Sequence, residues 1–195
     1  MSRTTSLERA LYDVGLLQYG LFDHAGGVRP FQHQLAMLAS YPDLLREAAR
    51  GISGCVHGVD RLLCREDSVP LAVALALEAG LPLVIARGNG SAGPSDLVGA
   101  FDIGHPAALV ALTLDDVSPV LLGNAHSFGL EVQFACALLE IRPLSPSIPA
   151  QALMCLPDVT ARLVADKHLP AGLGRAVTAW LAAGATRPRP GSAAP

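Results

Sequence analysis

Apolar residues along this chain fall into helical spacing in some segments and into continuous runs in others. Helical spacing predicts helices over residues 6–17 and 41–51. Residues 69–79 are almost wholly apolar and stop at Gly80, which predicts a buried helix. Short apolar runs predict buried strands within residues 59–67, 81–87 and 108–116, and residues 129–139 continue as apolar structure. Residues 19–38 read as a Gly-rich turn between two extended segments.

The order of these segments predicts an α/β fold. Strands that are apolar on both faces and alternate with apolar helices indicate a mostly parallel sheet flanked by helices. The Pro-rich residues 146–157 are interpreted as a break, and residues 158–183 as C-terminal helices. We expect a single domain over residues 1–184, with a small N-terminal hairpin or hood over about residues 1–40 and the core over about residues 41–184. Residues 185–195 have the composition of a disordered tail.

Composition excludes several classes of function. The 195 residues carry a formal net charge of −3, which provides no electrostatic footprint for nucleic acid or for an acidic membrane surface. Lys167 is the only lysine, so a mechanism that needs several lysines is excluded. No apolar run has the length of a membrane span, and the N-terminus indicates an amphipathic helix rather than a signal peptide.

The four cysteines show no CxxC pair and no metal-ligand spacing with histidine. We interpret them as free thiols in a cytoplasmic protein, and we expect no dedicated metal site. Cys64, at the end of a predicted strand, is interpreted as packing because no general base is evident beside it.

Polar residues follow three of the predicted strands. In parallel sheets, ligands bind beyond the carboxyl ends of the strands, which places the loop Arg65-Glu66-Asp67, Arg87 and the acidic pair Asp115-Asp116 along one rim. The structural alternative for the acidic pair is a helix cap or a solvated turn, and for the mixed-charge loop an exposed turn.

The sequence from about Leu7 to Leu139 resembles a type I phosphoribosyltransferase of the orotate phosphoribosyltransferase branch. The segments that carry the resemblance are YGLFDHAGG with RPF, RLLCREDSVPLAVALALEAGLPLVIAR, and NGSAGPSDLVGAFDIGHPAALVALTLDDV. They are similar, in order, to the family's N-terminal hairpin, its pyrophosphate-loop strand and helix, and its flexible catalytic loop with the acidic strand. The resemblance implies transfer of phosphoribose from phosphoribosyl diphosphate, ribose and Mg²⁺ contacts at Asp115 and Asp116, and a homodimer that shares its mobile loop between subunits.

The chain departs from the family where the family binds phosphate. The family follows its acidic pair with a Thr-Thr-Gly-x-Ser loop whose backbone N–H groups hold the 5-phosphate. Here that position reads Ser118-Pro119-Val120-Leu121-Leu122, in which Pro119 removes one N–H and the apolar residues replace the cradle. Burial of a phosphate dianion there without donors costs several kcal/mol.

Cations are also missing at three further positions that the resemblance identifies. The lysine of the family's pyrophosphate loop corresponds to Asp67, with Arg65 as a displaced cation, and the hairpin lysine falls near His24. The loop NGSAGPSD contains none of the family's lysines or its histidine, and only Arg87 stands at its base. The small polar loop also puts loop sharing between subunits in doubt.

The remaining candidate ligand contacts are weighed against plain structural roles. His24 and Arg29 lie on the hairpin that covers the base in the family, and His24 is a candidate for stacking on a planar ligand or for a hydrogen bond to it. Val120, Leu121 and Leu122 are candidates for an apolar pocket wall. His126 titrates in the range of an acid or base, although an exposed helix position is the plainer interpretation.

Two hypotheses of different class follow, with a third in reserve. In the first, the chain is a diverged transferase-fold enzyme, repurposed in specialised metabolism for a planar or apolar small molecule and no longer using phosphoribosyl diphosphate in the usual way. In the second, it is a non-catalytic relative that binds a metabolite or a partner chain, and the acidic pair is a vestige. The third is ordinary orotate phosphoribosyltransferase activity, which the missing cations disfavour.

Overall fold

The computed structural model describes residues 3–24, 27–87, 96–142 and 147–185, with the side chains of residues 3–6, 116, 184 and 185 excepted. The helices are α1 (Arg3–Asp13), α2 (Pro42–Ser53), α3 (Val69–Ala79), α4 (Pro119–Ser127), α5 (Leu156–Ala165) and α6 (Ala171–Ala185). The strands are β1 (Leu17–His24), β2 (Gly27–His33), β3 (Arg61–Arg65), β4 (Leu83–Ala86), β5 (Leu97–Val98), β6 (His105–Thr113), β7 (Leu130–Glu140) and β8 (Ala150–Cys155).

Six strands form the central sheet in the order β5-β4-β3-β6-β7-β8. All neighbouring pairs are parallel except β4 and the short β5, which are antiparallel. The predicted α/β class with a mostly parallel sheet is therefore confirmed. Because the five longer strands run in the same direction, their carboxyl ends meet at one side of the sheet, here called the carboxyl edge.

Both faces of the sheet are covered, as the unbroken apolar strands predict. Successive side chains on a strand point to opposite faces, so Leu62 and Cys64 join a large core cluster with α1, α2, α3 and α5. Leu63, between them, joins a second cluster on the other face, where α4 contributes Leu121 and Ala125. Each of these five side chains is buried. The apolar strands thus form the middle of three layers, with helices on both faces of the sheet.

The two extended segments predicted at the N-terminus form an antiparallel hairpin of β1 and β2, here called the hood hairpin. Its pairing runs from Leu17 opposite His33 to His24 opposite Gly27. Phe31 of β2 is buried in the large core cluster, and the Tyr19 and Thr160 hydroxyl oxygens lie 3.1 Å apart. Helix α6 packs against β2. Helices α5 and α6 therefore hold the hood hairpin against the rest of the domain.

Two element boundaries differ from the sequence prediction. Helix α1 begins at Arg3 and ends at Asp13, three to four residues earlier than its apolar spacing predicts. The interpretation of residues 146–157 as a break was wrong, because β8 occupies Ala150–Cys155 and pairs with β7 at the edge of the sheet. Prolines flank this strand on either side rather than interrupting it, which is where an edge strand tolerates them. The end of α3 is confirmed, since Gly80 has φ 68°, the left-handed conformation that closes a helix.

A buried carboxylate ties α1 to α5. The side chain of Glu8 is only 2% exposed, and its Oε1 lies 3.1 Å from an Arg162 guanidinium nitrogen. Burial raises the pKa of the Glu8 carboxyl above its ordinary value of 4.5; Arg162 works against this rise and Asp158 adds to it. The folded state therefore holds this proton more tightly than the unfolded state does.

Wild-type protein is expected to lose stability relative to Glu8→Gln as the pH rises above 4.5. A group whose pKa is raised on folding stabilises the protein below its unfolded pKa and loses that contribution as the pH rises through the folded pKa. Urea unfolding of both proteins at pH 4.5 and pH 7.5 measures the change in the free-energy difference. Glu131→Gln, at an exposed position of β7, is the matched control. If the wild type becomes more stable relative to Glu8→Gln as the pH rises, the raised pKa of Glu8 is contradicted.

Candidate functional site

A cavity of about 390 Å³ opens between the hood hairpin, the carboxyl edge of the sheet and α6. We call it the hood pocket. Its walls come from parts of the chain that are far apart in sequence: the hairpin, the ends of β6 and β7, and the C-terminal helix. The lining residues are His24, Arg29, Phe31, Gln32, His33, Thr113, Asp115, Ile141, Arg142 and Trp180.

Two arginines face one tryptophan in the hood pocket. The guanidinium carbon of Arg142 lies 4.0 Å from the centroid of the Trp180 ring, and that of Arg29 lies 5.9 Å from it. Both distances fall within the range of a cation–π contact. The Nε of Arg142 is buried and has no hydrogen-bond partner among the described residues. The two guanidinium groups bring positive charge to the pocket, which suits an anionic ligand.

Aromatic rings line the hood side of the pocket. Phe31 lies 5.4 Å from Tyr19 and 6.2 Å from His33, measured between ring centroids, with tilted planes. His24, the last residue of β1, is exposed and lines the same cavity. Together with Trp180, these flat side chains suit a planar ligand. The structure thus brings the predicted residues His24, Arg29 and Asp115 into one pocket.

The loop after β3 is fixed to the end of β6 by a chain of hydrogen bonds. The backbone N–H of Leu112 donates to Ser68 Oγ at 3.3 Å, and the Ser68 hydroxyl donates to Asp67 Oδ1 at 3.0 Å. Arg65 pairs with Asp67 at 3.7 Å. The loop therefore lies at the carboxyl edge, as predicted. Because Asp67 pairs with Arg65, the arginine's charge is largely matched within the loop itself.

Two other predicted contacts lie at the same edge but outside the hood pocket. Glu66 is exposed in a 3₁₀ turn that follows β3. Arg87 follows β4, and its backbone N–H donates to the carbonyl of Asp96 at 2.8 Å. The polar segment NGSAGPSD, likened to the family's mobile loop, lies outside the described residues except for Asp96.

The acidic pair follows β6 in a 3₁₀ turn over Leu114–Asp116. Asp115 is exposed and lines the hood pocket beside Thr113. The side chain of Asp116 is outside the described part of the structure. Within the described ranges, His, Cys, Asp and Glu side chains form no group of three or more suited to a metal ion. They therefore provide no complete Mg²⁺ site of the oxygen-rich kind that the ion prefers.

The segment that the resemblance aligns with the family's phosphate cradle is the first turn of a helix. Helix α4 begins at Pro119, and Ser118 caps it by accepting a hydrogen bond from the Val120 N–H at 3.2 Å. The N–H groups of Val117 and Leu122 donate to the carbonyls of Leu114 and Ser118 at 3.1 Å each. Pro119 has no N–H. These four backbone positions consequently offer no free donor to a phosphate.

The predicted apolar wall at Val120, Leu121 and Leu122 does not line the hood pocket. Leu121 is 3% exposed and packs in the second core cluster with Leu63 and Leu109. Leu122 is half-buried against the same cluster, whereas Val120 is exposed. A helical turn directs the Leu121 side chain into the core on the face of the sheet that α4 covers, and an apolar pocket wall at this segment stays a prediction.

His126 lies at the opposite end of α4 from the acidic pair. Its carbonyl accepts from the Gly129 N–H at 3.0 Å, and the Gly129 carbonyl accepts from the Gly104 N–H at 2.8 Å. Both bonds lie where β6 and β7 begin, which is the edge of the sheet away from Asp115. The structure therefore does not bring His126 to the hood pocket.

Cys64, at the end of β3, is buried and close to the carboxyl edge. Burial, with a smaller contribution from Asp67, raises the pKa of its thiol to about 12. The thiol is therefore protonated at neutral pH and does not act as a nucleophile, in agreement with its interpretation as packing.

Sequence reasoning missed Arg142 and Trp180. Arg142 directly follows the buried strand β7, so the rule that placed Asp115 at the rim applies equally to it. Trp180 lies on α6, and no local pattern distinguishes its position from an ordinary helix face. Its role depends on how α6 packs against the hood hairpin, which is a tertiary contact.

Comparison with known proteins gives one consistent family. The chain is 36% identical over 86 residues to an orotate phosphoribosyltransferase of Archaeoglobus fulgidus, a match that covers 42% of this chain and 48% of that relative. The chain thus spans about half the length of this curated relative. No protein-family model matches the chain.

Solved structures superpose on a larger share of the chain than the match to the curated relative covers. The UMP synthase of Leishmania donovani superposes with a TM-score of 0.82 at 18% identity, over 93% of this chain and 43% of that one. The orotate phosphoribosyltransferase of Mycobacterium tuberculosis H37Rv in complex with 5-phospho-alpha-D-ribosyl 1-diphosphate (PRPP) gives 0.64 at 13% identity, over 81% of this chain and 99% of that one. None of the helices in the described ranges is long and apolar enough to cross a membrane.

Proposed function

We propose that this chain, which has the type I phosphoribosyltransferase fold and resembles the orotate branch, is a diverged small-molecule enzyme. Its hood pocket binds a planar, anionic ligand, and it no longer uses PRPP in the usual way. The observation that carries the proposal is the pairing of Arg142 and Arg29 with Trp180 in a pocket of about 390 Å³. A pyrimidine carboxylate such as orotate, on which the curated relative acts by name, has this chemistry.

The hood half of the cleft supports binding of the base. A planar ring fits between the aromatic side chains of the hood hairpin and Trp180. A carboxylate on that ring is placed to meet the guanidinium of Arg142, which lines the pocket. Asp115 and Thr113 lie at the floor, beside the ends of the strands, where they are placed to contact a group attached to the ring.

The phosphate half supports divergence. Around the start of α4, the N–H groups of Val117, Val120 and Leu122 bond within the turn and Pro119 has none. Leu121 packs in the core. Asp67 stands where the family carries a lysine, and it pairs with Arg65. Transfer from PRPP needs donors and cations that stabilise the departing pyrophosphate, and removal of one such group typically costs about 3 kcal/mol.

Calorimetric titration of the protein with orotate and with uracil tests the hood pocket. Uracil has the same ring without the carboxylate, so it is the matched control ligand. The proposal predicts that orotate binds about 100-fold more tightly than uracil, the contribution of two charge-assisted hydrogen bonds to the carboxylate. Equal affinity for the two compounds would contradict an anion-selective pocket.

The alternative is a non-catalytic relative that binds a metabolite or a partner chain. The internal pairing of Arg65 with Asp67 favours it, because this loop then has little charge left for a reacting group. The double variant Asp115→Asn, Asp116→Asn separates the two functions. If the acidic pair is catalytic, the double variant folds but loses enzymatic turnover. If the pair is a vestige, the double variant keeps both the folding and the ligand affinity of the wild type.

Ordinary orotate phosphoribosyltransferase activity is the second alternative, and an assay of orotate consumption in the presence of PRPP and Mg²⁺ decides it. We propose a cytoplasmic location and a homodimeric state on the basis of the family resemblance. A role in specialised metabolism is proposed from the departures from that family. The match to the curated relative supports the family from which the chain diverged, not its present substrate.

A further inference from the structure

We propose that Trp180 is a positioning residue that fixes the guanidinium of Arg142 and so sets the preference of the hood pocket for carboxylate ligands. The inference rests on the proposed function. It extends the site to the C-terminal helix α6, which takes no part in the strand pairing of the sheet or of the hood hairpin. Trp180 is the only tryptophan of the chain.

Trp180 stands where three parts of the molecule meet. Helix α6, which carries it, packs against β2 of the hood hairpin. Its ring faces Arg142 from the carboxyl edge of the sheet at 4.0 Å and Arg29 from β2 at 5.9 Å. One indole therefore contacts the two cations of the pocket, which come from different walls. Removal of the ring frees both of them to move.

The geometry of a stacked guanidinium explains the effect on specificity. Its five N–H donors all lie in one plane, so a ring packed on the flat face leaves them directed sideways. The guanidinium carbon of Arg142 lies over the Trp180 ring, 4.0 Å from its centroid, which is the position that such packing requires. A carboxylate is the planar acceptor that such a fork binds by two parallel hydrogen bonds.

The indole also makes the convergence of two cations less unfavourable. Arg29 and Arg142 repel one another, and the negative face of the aromatic ring attracts both. Without the ring, the two side chains are expected to separate towards solvent, because neither is held by an ion pair among those found in the described residues. The pocket is then expected to lose its preference for an anion.

Substitution of Trp180 by leucine and by phenylalanine tests the inference. Leucine keeps apolar bulk without an aromatic face, whereas phenylalanine keeps a smaller face. The ratio of orotate to uracil affinity, measured by calorimetry, is expected to fall about tenfold in Trp180→Leu and to stay within about threefold in Trp180→Phe. A purely structural role lowers both affinities together and leaves the ratio unchanged. An unchanged ratio in Trp180→Leu overturns the inference.

A second measurement needs no ligand, and it keeps this inference separate from the proposed function. Emission from Trp180 is quenched by iodide, an anion, and by caesium, a cation. Cations beside the indole favour iodide, so Arg142→Met is expected to lower iodide quenching at least twofold relative to caesium quenching. An unchanged quenching ratio overturns the placement of Arg142 against Trp180. Equal affinity of wild-type protein for orotate and uracil, with the quenching effect present, overturns only the proposed ligand class.

Discussion

Arg142→Met is expected to weaken orotate binding about 100-fold while the protein remains folded. Methionine retains the unbranched apolar stem that packs beside Trp180, but it has no donor. Two charge-assisted hydrogen bonds to a carboxylate contribute about 3 kcal/mol, and 1.4 kcal/mol corresponds to a factor of ten in affinity. Uracil, which lacks the carboxylate, is expected to bind wild type and variant within about threefold of each other.

The matched control for this variant is Arg175→Met. Arg175 is an exposed arginine on α6, the helix that carries Trp180, and it does not line the hood pocket. Its substitution removes the same charge from the protein and is expected to leave orotate affinity unchanged. If Arg142→Met binds orotate as tightly as wild type does, Arg142 is not the anion contact.

Leu121→Ala is expected to destabilise the protein by about 2–5 kcal/mol, the usual cost of truncating a buried leucine. Leu121 is 3% exposed and packs with Leu63 and Leu109 against the face of the sheet that α4 covers. Ligand binding in the hood pocket is expected to be unchanged in the folded variant, because Leu121 does not line it. Urea unfolding and orotate calorimetry on the same preparation measure the two effects.

Val120→Ala is the neighbouring control. Val120 is 56% exposed, so its truncation is expected to change stability by no more than about 0.5 kcal/mol. A small stability loss for Leu121→Ala together with weaker ligand binding would support the interpretation of this segment as a pocket wall. It would also contradict the assignment of α4 as a filled replacement for the phosphate cradle.

The sheet and the rim residues were accessible from sequence because they depend on local patterns. A strand buried on both faces is recognisable from an unbroken apolar run, and the polar residue that follows it lies at the carboxyl edge. This rule correctly placed Arg65, Asp67 and Asp115 at one edge, and the hood hairpin was evident from its central glycines. The comparisons confirm the resemblance to orotate phosphoribosyltransferases that these segments indicated.

Other features depended on contacts that no local pattern contains. The apolar residues after the acidic pair fit either a loop wall or a helix, and only the packing of α4 on the sheet directs Leu121 inward. Strand β8 was hidden because prolines flank it, and it is identified by its pairing with β7. Trp180 is 38 residues beyond Arg142 in the chain, and only the packing of α6 brings them together.

The charged residues at which this chain differs from the proteins that it resembles follow one trend. Asp67 stands where the resemblance places the lysine of the pyrophosphate loop, and Arg29 and Arg142 line the hood pocket. Binding of PRPP needs cations along the phosphate half of the cleft. Under the proposed function, the cations of the hood pocket favour recognition of the ring over recognition of the phosphates.

Calorimetric titration with PRPP, with and without Mg²⁺, tests the central claim of divergence most directly. We expect no binding in the micromolar range under either condition, because Val117, Val120 and Leu122 use their N–H groups within the turn and Pro119 has none to offer a 5-phosphate. Micromolar binding that depends on Mg²⁺ would contradict it, and would show that the phosphate site has been kept by other residues.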